Sequence, residues 1–117
     1  MRHVALQPDE IQGKPLTEPV LLILMSLAAQ PRHGYALIKD IETLSSHRVR
    51  LSTGTLYGAL RRLLDDLWIA RFEQEDTSRD KQAYRLTTEG RRQLQMELER
   101  LKQLTRLGMA RLRVTEV

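Results

Sequence analysis

Residues 51–69, LSTGTLYGALRRLLDDLWI, restrict the possible folds more than any other stretch of the chain. Leu56, Leu60, Leu63, Leu64 and Leu67 recur at three- and four-residue steps, which puts them on one stripe of a helix. Ser52 is placed to cap that helix, and the predicted element runs over 52–66. Gly54, Gly58, Arg61, Arg62 and Asp65 fall on the opposite side, which has nothing to give to a core. A glycine inside a helix costs about 1 kcal/mol relative to alanine. Gly58 carries that cost on the outward face, so the sequence predicts a face kept clear for another molecule.

The flanking segments supply the rest of the domain. Pro8, Gly13 and Pro15 interrupt residues 1–16, which read as an N-terminal arm. In LTEPVLLILMSLAAQ, Thr17 is an N-cap candidate, with Glu18 and Pro19 in the first turn. The run is apolar nearly all round, so this helix is expected to be buried. It breaks at PRHGY. A second helix follows, with Leu37, Ile38, Ile41 and Leu44 on one face, and SHRVRLS forms a polar turn. WIARFEQED and KQAYRLT are β-prone runs separated by TSRD, which predicts a two-stranded hairpin over 68–87. Thr87 or Thr88 then caps a long, highly charged helix. Its Leu94, Leu98, Leu101, Thr105, Gly108 and Leu112 form a heptad-like seam, widened by Leu104 and Leu107. The stripe is wider than one small domain can cover and predicts a dimer interface.

Composition removes several functions. With no cysteine there are no disulfides, thiolate metal sites or thiol catalysis, and a reducing cytoplasm is the natural compartment. His3, His33 and His47 are too scattered to suggest a metal triad. The acidic residues read as solvated surface and capping groups, with no nucleophile–base pair among them. No catalytic residue, metal or cofactor is expected. VLLILMSLAA is too short to span a bilayer, and follows Asp9, Glu10 and Glu18, which is unlike a signal peptide. A net charge of +4 is compatible with a nucleic-acid partner.

Three helices, a hairpin and a long final helix define a mainly α (α+β) fold: a winged helix-turn-helix over 17–87 and a dimerisation helix over 88–117. The stretches LILMSLAAQPRHGYALIKDI, STGTLYGALRRLLDDLWI and QAYRLTTEGRRQL resemble the PadR family of bacterial transcriptional regulators, over roughly residues 16–100. HGY, GTLY and YRLTTEG are the most specific parts, in family-like order and spacing. The resemblance implies a homodimeric repressor that binds an operator in double-stranded DNA through the third helix and the wing. The short C-terminal part is like the subgroup with one dimerisation helix.

In this setting the residues of the third helix acquire roles. Ser52, Thr53 and Thr55 offer hydroxyls beside the free N–H groups of the helix start. Gly54 and Gly58 allow close approach of the groove wall, and Arg61 and Arg62 supply charge a turn later. Tyr57 can present its hydroxyl to a phosphate. The resembled family commonly has proline at the positions of Thr53 and Gly58, so base preferences differ here. Arg79 and Lys81 flank the wing tip and are expected at phosphate or minor groove, against the repulsion of Glu73, Glu75, Asp76 and Asp80. The interface candidates are Leu94, Leu98, Leu101, Leu104 and Leu112.

Each of these residues also has a plainer role: Gly58 as neutral drift, Arg61, Arg62 and Lys39 as solvated charge, Tyr57 as packing, and His33 as a turn residue bonding backbone. Two other functions fit the same fold, a protein-interaction module without DNA and a small-molecule sensor. Some members of the resembled family stack a ligand on a tryptophan of the last helix; this chain has no aromatic residue there, and Trp68 reads as wing packing. An unidentified small-molecule effector stays open. The helix end poses a separate question. Families of this type place glycine where LLDDLWI has Leu67, so Leu67 either takes a left-handed conformation or stays on the core stripe. The wing match on both sides favours the strained alternative.

Overall fold

The computed structural model describes residues 14–72 and 82–115. The elements run α1 (Glu18–Ala29), β1 (Arg32–His33), α2 (Gly34–Leu44), α3 (Thr53–Asp65), β2 (Ile69–Phe72), β3 (Ala83–Leu86) and α4 (Thr88–Thr115). Thr17 caps α1 by accepting from the Val20 amide at 3.4 Å. Leu22, Ile23, Leu24 and Leu27 of α1 meet Leu37 and Ile41 of α2, Leu56, Leu60 and Leu63 of α3, and Ile69, Tyr84 and Leu86 of the sheet in one core. Leu44 departs from the stripe expected of α2: it is exposed in the last turn.

The sheet has three strands rather than two, in the order β1-β3-β2, both pairs antiparallel. Arg32 pairs with Tyr84 and His33 with Ala83, so the PRHGY break is also an edge strand. Asp40 anchors it, accepting from Ser26 Oγ at 2.5 Å and lying 3.4 Å from the Arg32 guanidinium. The expected backbone bond of His33 is not made by Nδ1, which is buried without a partner.

The turns that follow α2 and α3 both close on left-handed residues that are not glycine. After α2, Ser46 and His47 have φ of 55° and 66°; the Ser46 amide donates to Thr43 and the His47 amide to Glu42. After α3, Leu67 has φ 64°, its amide donates to Leu64, and the Trp68 amide donates to Leu63. This paired 5→2 and 6→1 pattern is the Schellman ending, in which glycine usually occupies the left-handed position. Leu67 is therefore strained, and it does not sit on the core stripe: 71% of it is exposed. Thr87 fastens the turn from the other side. Its hydroxyl donates to the Leu67 carbonyl at 2.7 Å and accepts from the Gly90 amide at 3.0 Å, which makes Thr87, not Thr88, the cap of α4. A Cβ on Gly90 would collide with the Trp68 carbonyl, so glycine is required for α4 to start this close to the wing.

The first turns of α4 pack on α1 and β3. Glu97 lies there, only 5% exposed, and is not the solvated carboxylate expected from the sequence. Arg100 holds it at 2.7 Å, and the Leu16 amide donates to it at 3.1 Å, so the last residue of the expected arm is tied to the final helix. Among the described residues no helix is long and apolar enough to cross a membrane, and no group of His, Cys, Asp or Glu could hold a metal ion.

Candidate nucleic-acid interface

The exposed side of α3 is built by what its buried side requires. Leu56, Leu60 and Leu63 lock the helix onto the core, with Leu64 half-buried. Ser52, Thr53, Gly54, Thr55, Tyr57, Gly58, Arg61 and Arg62 are left exposed together. Ser52 Oγ accepts from the Thr55 amide at 3.1 Å and donates to Thr55 Oγ1 at 3.0 Å. Ser52 Oγ is thus held in the cap, with its hydroxyl shared with that of Thr55. The hydroxyls of Thr53 and Thr55 and the first two amides of the helix stay available to a ligand. Neither Arg61 nor Arg62 has an acidic partner among the described residues.

The glycines divide into two kinds. A Cβ on Gly34 would strike the Tyr57 hydroxyl, so HGY and GTLY meet: Gly34 makes room for the Tyr57 ring at the start of α2. Gly90 is required in the same way at the wing. A Cβ on Gly54 or Gly58 would meet nothing within 4 Å. No packing among the described residues explains glycine at these two positions, which share one face of α3 four residues apart.

Tyr57 lies over this junction half-exposed, with Tyr84 nearby in the core. Burial pushes the Tyr84 phenol above its ordinary pKa, the neighbouring Tyr57 adds to the rise, and Arg71 opposes it. Two further exposed groups lie on α2: Tyr35, and Lys39, whose ammonium stands 5.7 Å from the Tyr35 ring centre. Sequence reasoning left Tyr35 and Arg71 out of the site, since their placement depends on the Gly34–Tyr57 contact and the strand register. Arg79, Lys81 and the acidic residues expected near the wing tip lie outside the described residues.

The seam of α4 divides at one turn. Leu94 is 6% exposed and belongs to the chain's own core, which removes it from the expected dimer interface. Leu101 is half-buried, while Leu98, Leu104, Leu107 and Leu112 are exposed. Trp68 packs on the core, as expected of the wing, and its outer edge lines an open groove of about 400 Å³ with Lys14, Leu16, Asp66, Glu89 and Gln93.

A helix pair whose second member is exposed at its N-terminal end, followed by a hairpin, makes this a winged helix-turn-helix protein. Residues 23–96 match the transcriptional regulator PadR-like family, and the chain belongs to it. Members of this family are transcriptional regulators, not enzymes. A PadR family regulator from Eggerthella lenta is 30% identical, with 81% of this chain and 83% of that one covered at a TM-score of 0.58. A transcriptional regulator from Clostridium thermocellum shares the fold at 24% identity and TM-score 0.66, covering 88% and 94% of the two chains. A PadR family regulator from Clostridium difficile does so at 22% and 0.68, covering 82% and 99%. A curated relative, an uncharacterized 37.1 kDa protein in transposon Tn4556 of Streptomyces fradiae, is 38% identical over 85 residues. That match takes in 73% of this chain but 23% of the relative's length.

Proposed function

We propose that the protein is a cytoplasmic homodimeric repressor that reads an inverted-repeat operator through α3 and the wing. The observation that carries the reading is the open face of α3, where Gly54 and Gly58 clear space that nothing among the described residues fills. The exposed Thr53, Thr55, Tyr57, Arg61 and Arg62 surround that space with donors and positive charge. A helix so disposed enters the major groove with its first turns at the base edges. Ser52 serves there as the cap that fixes the first turn.

The free half of α4 supports the dimer. From Lys102 to Met109 every residue is exposed, and Leu104, Leu107 and Leu112 each leave about half or more of their surface open. A second copy related by a two-fold axis covers such a stripe, beginning at Leu98 and Leu101. Two α3 helices so related read half-sites about 10 base pairs apart, or a multiple of that. No effector is required by this reading.

Selection of bound sequences from a random duplex pool tests it. The expected product is an inverted repeat, and Arg61→Ala should weaken binding to that product by about 1–3 kcal/mol if Arg61 reads a base. A pool that shows no enrichment and no salt-dependent binding would favour a protein-interaction module instead.

A further inference from the structure

Arg71 stands on the wing strand that no motif singles out. The pairs Ile69↔Leu86 and Arg71↔Tyr84 put these four side chains on one face of the sheet, because side chains alternate along a strand. Ile69, Tyr84 and Leu86 are buried on that face against the helices, while Arg71 stays exposed at its edge. The strand packs on α3, and only three residues separate it from the end of that helix, so it returns along the helix toward Tyr57. Tyr57 approaches the same sheet from α3, its hydroxyl lying against Gly34, the residue after the His33 that pairs with β3, and both Tyr57 and Arg71 bear on the Tyr84 phenol.

Two arginines flank Tyr84 across the sheet, and they differ in what they are tied to. Arg32 is neutralised by Asp40 at 3.4 Å. Arg71 has no acidic partner among the described residues. A guanidinium without an acidic partner and a phenol hydroxyl on the same side of the domain match the oxygens of a phosphate, which the planar arginine fork binds with two parallel hydrogen bonds.

We propose that Arg71 and Tyr57 together seat one DNA phosphate at the flank of α3, with the buried Tyr84 ring as the floor of the seat. The inference rests on the DNA-binding reading and adds to it a contact from the base of the wing, independent of the wing tip. Gly34 is part of the device, since a side chain there would displace the Tyr57 ring.

The test is the salt dependence of binding to a mixed-sequence synthetic duplex, where phosphate contacts supply nearly all of the affinity. Arg71→Ala and Arg71→Gln should each reduce the steepness of log K against log salt by about 0.9 per protomer, or about 1.8 for a dimer that seats one phosphate on each subunit. Arg85→Ala is the control: Arg85 is exposed on the same hairpin, but its pairing with Ala70 points it to the other face. It should leave the slope unchanged. Tyr57→Phe should weaken binding at every salt concentration without altering the slope, because it removes a hydroxyl and no charge. Equal slopes for the Arg71 and Arg85 variants, with the wild type binding, would overturn the seat alone. A wild type that binds duplex DNA without salt dependence would overturn both the seat and the DNA-binding reading.

Discussion

Replacing Leu67 by alanine and, separately, by glycine measures the strain at the end of α3. Leu67 holds φ 64° with 71% of its surface exposed, so the cost of its conformation is only weakly offset by packing. Full burial of a leucine contributes about 1.5–3 kcal/mol. With less than a third of the residue covered, truncation to alanine should cost about 0.5 kcal/mol on that scale. Alanine keeps the Cβ, and with it the left-handed penalty of about 1–2 kcal/mol. Glycine removes that penalty but gains about 0.4–1 kcal/mol of unfolded-state entropy. The glycine variant should therefore be more stable than the alanine variant by about 0.5–1 kcal/mol, and equal to or slightly above the wild type. Both variants keep the Leu67 carbonyl that accepts from Thr87, so the wing stays anchored. Urea melts at one fixed protein concentration read the difference, because the proposed dimerisation would make the midpoint depend on concentration. A glycine variant less stable than the alanine variant would refute the strain argument.

Leu104→Glu combined with Leu112→Glu should convert the proposed dimer to a folded monomer, read as a halved mass in sedimentation with the helical circular dichroism retained. Gly90→Ala should destabilise the fold by about 1–3 kcal/mol, because the new Cβ meets the Trp68 carbonyl and the start of α4 must move; thermal melts measure it. Glu97 is held below the usual glutamate range by Arg100 and, after the opposing effect of burial, by the Leu16 amide. Its stabilisation is complete above the unfolded pKa of about 4.3 and is lost as pH falls through the lower folded value. Glu97→Gln should therefore be less stable than the wild type at pH 7, with the gap closing below about pH 4; urea midpoints across pH test the sign.

How much of this could be read from the sequence depended on how local each determinant is. Thr17 and Ser52 each cap the helix that begins at the next residue, and the leucine spacing of α3 is a matter of one turn. The left-handed Leu67 was open to inference because the motifs on both sides fix the length of the turn. The edge strand β1 was not: two residues carry no periodicity, and its pairing is with Ala83 and Tyr84, some fifty residues on. Glu97 was misjudged for the same reason, since its cover comes from Leu16 at the other end of the domain. Leu94 and Leu98 look alike in a heptad pattern. Only the packing of α1 on α4 shows that the chain's own core stops between them. Arg71 gave no signal, because its neighbours Tyr57 and Tyr84 come from two other elements.

The central claim is that the leucine-free face of α3 meets DNA, and Gly58→Glu tests it most directly. In the free protein nothing lies within 4 Å of the new Cβ, and glutamate is a better helix former than glycine by up to about 1 kcal/mol. The variant should melt at or above the wild-type temperature. If the face enters the groove, the added carboxylate meets both the groove wall and the phosphate charge. The account predicts that duplex binding falls at least tenfold while stability is kept. Wild-type affinity in a folded Gly58→Glu protein would contradict it.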